Sequence, residues 1–158
     1  MALLTDVLVA SSSEAEAICR DLRHFENWPC WQINGFDNLV FSDLLRALGA
    51  EADAKALAGE DRLIYAETEG GPWVFDLPDV IPKTLSTLED DEIPDLAERW
   101  LQRENAGYDL AERWLQRQEG AGYRDTLVEN VVLALKDLRI LSKQAMTANK
   151  SLLLWMSL

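Results

Sequence analysis

DRLIYAETEGGPWVFDLP, residues 61–78, decides the fold class of this chain. Two apolar runs, at residues 63–66 and 73–77, flank a turn at residues 70–72. Runs rich in aromatic and β-branched residues on either side of such a turn are typical of a β-hairpin. Pro78 has no backbone N–H to donate to a neighbouring strand, so it ends the second strand. The chain is therefore expected to contain a sheet.

Further strands are predicted near both ends of the chain. In residues 3–9, Val7 and Val9 lie on one side of an extended run and Leu8 lies on the other. The last residues, KSLLLWMSL (150–158), are apolar without helical periodicity. Because so dense an apolar terminus must be covered, we place it as a strand in the sheet. A short strand is also predicted at residues 30–33.

Helical periodicity accounts for most of the remaining chain, and capping residues mark where helices begin and end. The predicted helices cover residues 13–25, with Ala15, Ile18, Cys19 and Leu22 on the apolar face; 38–48, between the cap Asp37 and Gly49; a short segment that ends at Gly59; a helix that starts at Asp79; a helix from Ile93; and a long helix lined by Leu127, Val128, Val131, Leu135, Leu138 and Leu141. This order predicts an α+β fold with helices packed on one face of a small, mainly antiparallel sheet. The alternative is a mostly helical domain with one β-hairpin.

An internal repeat follows the hairpin within what we expect to be a single domain of residues 1–158. The sequence DLAERWLQR at residues 95–103 recurs letter for letter at 109–117, so the duplicated units are 95–108 and 109–123. Solenoids need at least three longer repeats, so two short copies do not make an array. Near-identity indicates a recent duplication, and a geometry-critical active site is not expected there. We predict two short antiparallel helices. The alternative is one unbroken helix, which would keep Trp100 and Trp114 near the same side.

The composition limits the classes of partner. The chain has 28 acidic and 15 basic residues and a formal charge of −13, which repels nucleic acid and anionic membranes and attracts a basic protein. No stretch approaches the roughly 20 apolar residues of a membrane span, and the N-terminus lacks the basic residues of a secretory signal. With two cysteines the chain is not a disulfide scaffold. A cytoplasmic location is predicted.

No residues form a recognisable catalytic, cofactor-binding or metal-binding motif. Cys19, His24 and Cys30 lie close together in sequence, but a structural zinc site needs four ligands and tighter cysteine spacing. Cys19 falls on the apolar face of its helix, where a cysteine is usually inert. His24, the sole histidine, is expected at a helix C-terminus, where a cation is favoured. We therefore predict no cofactor.

The best functional hypothesis is a non-enzymatic acidic protein that binds a basic protein, as an inhibitor or immunity protein does. Aromatic side chains are favoured anchors of interfaces. The predicted interaction surface comprises Trp100, Trp114, Tyr108, Tyr123, Glu89, Asp90, Asp91 and Glu92. If the core has no room for the second copy of the repeat, that copy would pack on a partner subunit in a homodimer. The alternative is a small enzyme that uses carboxylates, with or without a metal, in a pocket near the hairpin. A deep pocket that gathers Asp or Glu with His24 would favour this alternative.

Three short motifs resemble a family of small uncharacterised bacterial proteins. They are GPWVFDLP at residues 71–78, AERW at residues 97–100 and KSLLLW at residues 150–155. The family has no assigned activity, so the resemblance implies no functional residue, only a bacterial cytoplasmic setting. The doubled DLAERWLQR departs from the family pattern, in which this helix occurs once.

Overall fold

The computed structural model describes residues 3–103 and 123–158, and in the last helix it describes side chains from Leu127 onward. Its sheet has five antiparallel strands in the order β2-β1-β5-β4-β3. The strands are β1 (Leu4–Ala10), β2 (Cys30–Gln32), β3 (Leu63–Ala66), β4 (Trp73–Asp76) and β5 (Ser151–Ser157). A five-stranded sheet, rather than a lone hairpin, confirms the predicted α+β class.

The helices of the described residues, apart from a 3-10 turn at Ser12–Glu14, are α1 (Ala15–Arg20), α2 (His24–Asn27), α3 (Asn38–Ala47), α4 (Glu51–Ala58), α5 (Val80–Leu85), α6 (Ile93–Leu101) and α7 (Tyr123–Ala148). Helix α3 begins as predicted, because the Asp37 carboxylate accepts a hydrogen bond of 2.9 Å from the Val40 N–H. It ends before Gly49, whose φ of +80° suits glycine. No described helix has both the length and the apolar character that a membrane span requires.

The two ends of the chain form the centre of the sheet. Strand β1 pairs with β5 over its whole length, from Leu4 opposite Ser157 to Ala10 opposite Ser151. This confirms that the apolar C-terminus is a strand. Most residues of both strands are buried, as expected for strands that are covered on both faces. The hairpin of β3 and β4 joins this centre through β4, which pairs with β5.

The main hydrophobic core lies between one face of the sheet and helices α3 to α7. Val7 and Val9 of β1 point into it, beside Leu152 and Leu154 of β5. The described part of α7 contributes most of its predicted stripe, including Val131, Leu135, Leu138 and Leu141. Burying side chains of this size contributes about 1.5–3 kcal/mol each, so this layer holds the sheet and helices together.

A smaller core covers the opposite face of the sheet. Leu8 and Leu153 point to this face and pack with Ala15 and Ile18 of α1. The sequence had predicted that all the helices pack on one face of the sheet, and this part of the prediction is wrong. The short N-terminal helices cover part of the second face, because alternate residues of β1 and β5 are apolar on both sides.

The single helix predicted at residues 13–25 is wrong, because the chain breaks at Asp21. The Asp21 carboxylate accepts hydrogen bonds from the Arg23 backbone N–H, at 2.8 Å, and from the Asn27 side chain. These bonds favour a turn over a continuing helix, and they lower the pKa of Asp21, the Arg23 bond most strongly. Leu22 is consequently 93% exposed rather than buried, and His24 begins α2 instead of ending a helix.

The repeat is only partly described by the structure. Its first copy forms α6 as far as Leu101. Tyr108 and Trp114 lie outside the described residues, and only the backbone of Tyr123 is described, as the first residue of α7. The predicted pair of antiparallel helices in the repeat therefore stays a prediction.

Candidate functional site

Trp100 does not belong to an interaction surface, so this part of the prediction is wrong. Its side chain is completely buried, and its indole N–H donates a hydrogen bond of 2.9 Å to the Val40 carbonyl. The ring packs against Phe36 and Phe41, with centroids 5.5 and 6.3 Å away. Trp100 shares one helical face with the buried Leu96 and Ala97, and this spacing in the sequence already favoured the core.

The acidic residues Glu89, Asp90, Asp91 and Glu92 are exposed, as an interaction surface requires. They form the turn before α6, where the Glu92 carboxylate accepts a hydrogen bond of 3.0 Å from the Glu89 N–H. Asp90 forms an ion pair of 2.7 Å with Arg139 of α7, which lowers the pKa of Asp90. The turn is thus partly neutralised, and the structure does not bring it together with the Trp100 ring.

A cleft of about 310 Å³ lies on the second face of the sheet, where α1 and α2 leave it uncovered. Asp6 forms its floor, opposite Gln32 of β2 on one side and Trp155 of β5 on the other. Because side chains alternate along a strand, all three point to this face. The cleft is lined by Leu4, Asp6, Leu22, His24, Phe25, Gln32, Asn34 and Trp155.

A buried contact between His24 and Asp6 joins the floor of the cleft to α2. The Nε2 atom of His24 lies 2.6 Å from an Asp6 carboxylate oxygen, and both residues are buried. The Nδ1 atom lies 3.3 Å from the Asp21 carbonyl oxygen. Both ring nitrogens of His24 therefore have a neighbouring oxygen within the protein.

Trp155 brings an unused hydrogen-bond donor to the lining of the cleft. Its ring packs against the His24 ring, with centroids 4.6 Å apart and planes at 48°. The indole N–H is buried, and the structure gives it no hydrogen-bond partner. Buried N–H groups nearly always have a partner, so this donor is an exception among the described residues.

Three apolar side chains at the mouth of the cleft, Leu4, Leu22 and Phe25, are called the apolar rim. Leu22 is 93% exposed, Leu4 48% and Phe25 42%. They make up one third of the large apolar side chains that are exposed in the described residues. Single exposed apolar residues are ordinary, but three around one cleft indicate a binding surface.

The cysteines near the cleft do not form a site with His24. Cys19 and Cys30 are both free thiols, and the described residues contain no group of three His, Cys, Asp or Glu side chains suited to a metal ion. Burial raises the pKa of Cys19 to about 11 and that of Cys30 to about 12, with smaller contributions from Glu67 and Asp6 respectively. A raised pKa keeps each thiol protonated and weakly nucleophilic at neutral pH.

We expect both thiols to react slowly in the native protein. An unperturbed cysteine has a pKa of about 8.5, so the shift reduces the thiolate fraction at pH 8 by roughly a hundredfold or more. Reaction with a disulfide reagent at pH 8 should be at least about tenfold slower in the folded protein than in urea. Cys19→Ser and Cys30→Ser variants assign the two rates, and a native rate equal to the unfolded one would contradict this expectation.

The sequence contained a signal for the cleft that periodicity alone does not reveal. Asp6 is the one charged residue within the apolar strand LTDVLVA, and a charge in a buried strand needs a partner. His24 and Trp155 become its neighbours only through folding, and Leu22 becomes exposed only because the helix breaks at Asp21.

Comparisons of the chain with protein-family models, with curated proteins and with solved structures found no match. The resemblance carried by GPWVFDLP, AERW and KSLLLW therefore stays a prediction.

Proposed function

We propose that the protein is a non-enzymatic binding protein that recognises a basic protein partner through the cleft and its apolar rim. The observation that carries this proposal is the grouping of Leu4, Leu22 and Phe25 around a cleft in which His24 and Asp6 already contact each other. Exposed apolar side chains beside a concave surface are typical of protein interfaces. The His24–Asp6 pair would support the shape of the surface rather than react.

The charge of the chain supports a basic partner. The formal charge of −13 attracts cations over long distances and speeds their encounter with the protein. The first 34 residues, which build much of the cleft, carry five carboxylates against two arginines. Such a protein would act as an inhibitor or immunity protein does, by covering a basic partner. We propose a cytoplasmic setting for this interaction, and a homodimer stays an alternative use of the second repeat copy.

Comparative affinity capture tests this function. Tagged wild-type protein and a Leu22→Asp variant are used as baits in lysate from the source cells, with isotope labelling to quantify recovery. We expect a basic protein that the wild type enriches and the variant loses by at least about tenfold, because a charge in the apolar rim opposes burial. Leu22 is exposed, so the variant should fold normally.

Leu133→Asp is the matched control. Leu133 is also an exposed leucine, at 58%, but it lies on α7 and does not line the cleft. This variant should capture the same partner as the wild type. Equal loss in both variants, or equal recovery with all three baits, would remove the support for binding through the cleft.

A second candidate function is a small acid–base enzyme, favoured by the meeting of Asp6 and His24 in a cleft with the Gln32 and Asn34 side chains. A carboxylate that orients a histidine is a common arrangement in general acid–base catalysis. A substrate would have to replace the Asp21 carbonyl as the partner of the His24 ring. If the protein is such an enzyme, His24→Gln should abolish turnover while ligand binding to the cleft persists.

A further inference from the structure

Strand β2 presents unused backbone groups at one edge of the sheet. The Val9 N–H donates to the Pro29 carbonyl and the Ile33 N–H donates to the Thr5 carbonyl, each at 2.9 Å. In the antiparallel register that pairs Asp6 with Gln32, these bonds leave the N–H and C=O groups of Cys30 and Gln32 pointing away from β1. Strand β2 has no neighbour on that side among the described strands.

Strand β3, at the opposite edge of the sheet, has an irregularity that hinders pairing with a further strand, and β2 has no such irregularity. Strand β3 has an irregular register between Leu63 and Tyr65, and bulges of this kind prevent further strands from pairing. Residues 30–32 pair with β1 in continuous register, and they include no proline and no charged residue. The two edges therefore differ in their capacity to accept another strand.

Gln32 belongs both to this edge and to the cleft. Its backbone points outward from the sheet, whereas its side chain lies in the row that continues through Asp6 and Trp155. A strand added beside β2 would place every second side chain on the same face as Gln32. Those side chains would lie next to the cleft and its apolar rim.

We propose that the partner binds as an extended segment that pairs with β2 and places apolar side chains toward the apolar rim. Addition of a strand to a sheet edge gives affinity through backbone hydrogen bonds and specificity through alternate side chains. The formal charge of −13 on the chain favours basic residues between the apolar ones. This proposal rests on the proposed binding function and specifies how the partner is held.

A fluorescent peptide of alternating lysine and valine, Lys-Val-Lys-Val-Lys-Val-Lys, is the probe. Its affinity is measured by anisotropy against the full chain, with a glutamate–valine peptide as the charge control. We expect the lysine–valine peptide to bind at least about tenfold more tightly than the glutamate–valine peptide.

Amide exchange measured by NMR should slow at Cys30 and Gln32 when the lysine–valine peptide binds. Exchange at Trp31 should change little, since its N–H already bonds within the sheet. Binding without slower exchange at either outward amide would overturn the proposal.

Gln32→Pro tests the edge, and Gln32→Ala is the control for losing the side chain that lines the cleft. The proline substitution removes an N–H that makes no bond to β1, and proline is tolerated on edge strands. Gln32→Pro should weaken peptide binding at least about tenfold, whereas Gln32→Ala and Ile64→Pro on β3 should not. Unchanged binding by the folded Gln32→Pro variant would overturn pairing at β2. If affinity capture still depended on Leu22, the proposed binding function would stand without strand pairing at β2. If the variant does not fold, amide exchange in the wild type decides the question. Failure of the lysine–valine peptide to bind would overturn the proposed chemistry of the segment.

Discussion

Replacing Trp100 by alanine is expected to lower the free energy of unfolding by about 3–5 kcal/mol, the range for removing a large aromatic side chain from a core. Trp100 is completely buried and fills the space between α6 and the rings of Phe36 and Phe41. The substitution also removes the hydrogen bond to the Val40 carbonyl. Both losses act on the same contact between α3 and α6.

Urea unfolding followed by circular dichroism measures this effect as a lower midpoint with an unchanged slope. Glu98→Ala is the matched control, because Glu98 lies on the same helix and is exposed. It should change the stability by no more than about 0.5 kcal/mol. A Trp100→Ala variant that lost less than about 1 kcal/mol would contradict the buried position of this side chain.

The second large effect concerns the hydrogen bond between His24 and Asp6 in the cleft. Asp6→Leu is expected to lower the free energy of unfolding by about 1–3 kcal/mol, because it leaves a buried His24 ring nitrogen without its carboxylate partner. His24 and Asp6 are only 6% and 7% exposed, so water replaces the lost partner poorly. The pair should therefore behave as one unit in the folded protein.

A double-mutant cycle tests that coupling. The combined Asp6→Leu, His24→Phe variant should lose much less stability than the sum of the two single variants, because an apolar pair leaves no buried polar group without its partner. The exposed ion pair of Glu16 and Arg20 on α1 is the control, and its coupling should not exceed about 1 kcal/mol. Additive losses at Asp6 and His24 would show that the two side chains do not depend on each other.

The elements that the sequence predicted correctly are those specified by neighbouring residues. The Asp37 cap and Gly49 fix the ends of α3, and the apolar run at the C-terminus forms β5 because it has no helical period. The hairpin follows from two apolar runs on either side of a glycine–proline turn. Each of these signals lies within the element that it specifies.

The cleft could not be predicted in this way, because it depends on residues that are distant in sequence. Asp6 and His24 are 18 positions apart, and Trp155 joins them only because β5 pairs with β1. The exposure of Leu22 depends on a competition between helix formation and the hydrogen bonds of Asp21. Helical periodicity favoured the wrong outcome at Leu22, although it correctly favoured a core position for Trp100.

Hydrogen–deuterium exchange on the protein with its captured partner tests binding through the cleft most directly. We expect slower exchange in residues 4–6 and 20–34, which carry the apolar rim and β2, and unchanged exchange around Leu133 and Ile140 of α7. Protection confined to the acidic turn at residues 89–92, or to the exposed face of α7, would contradict recognition through the cleft.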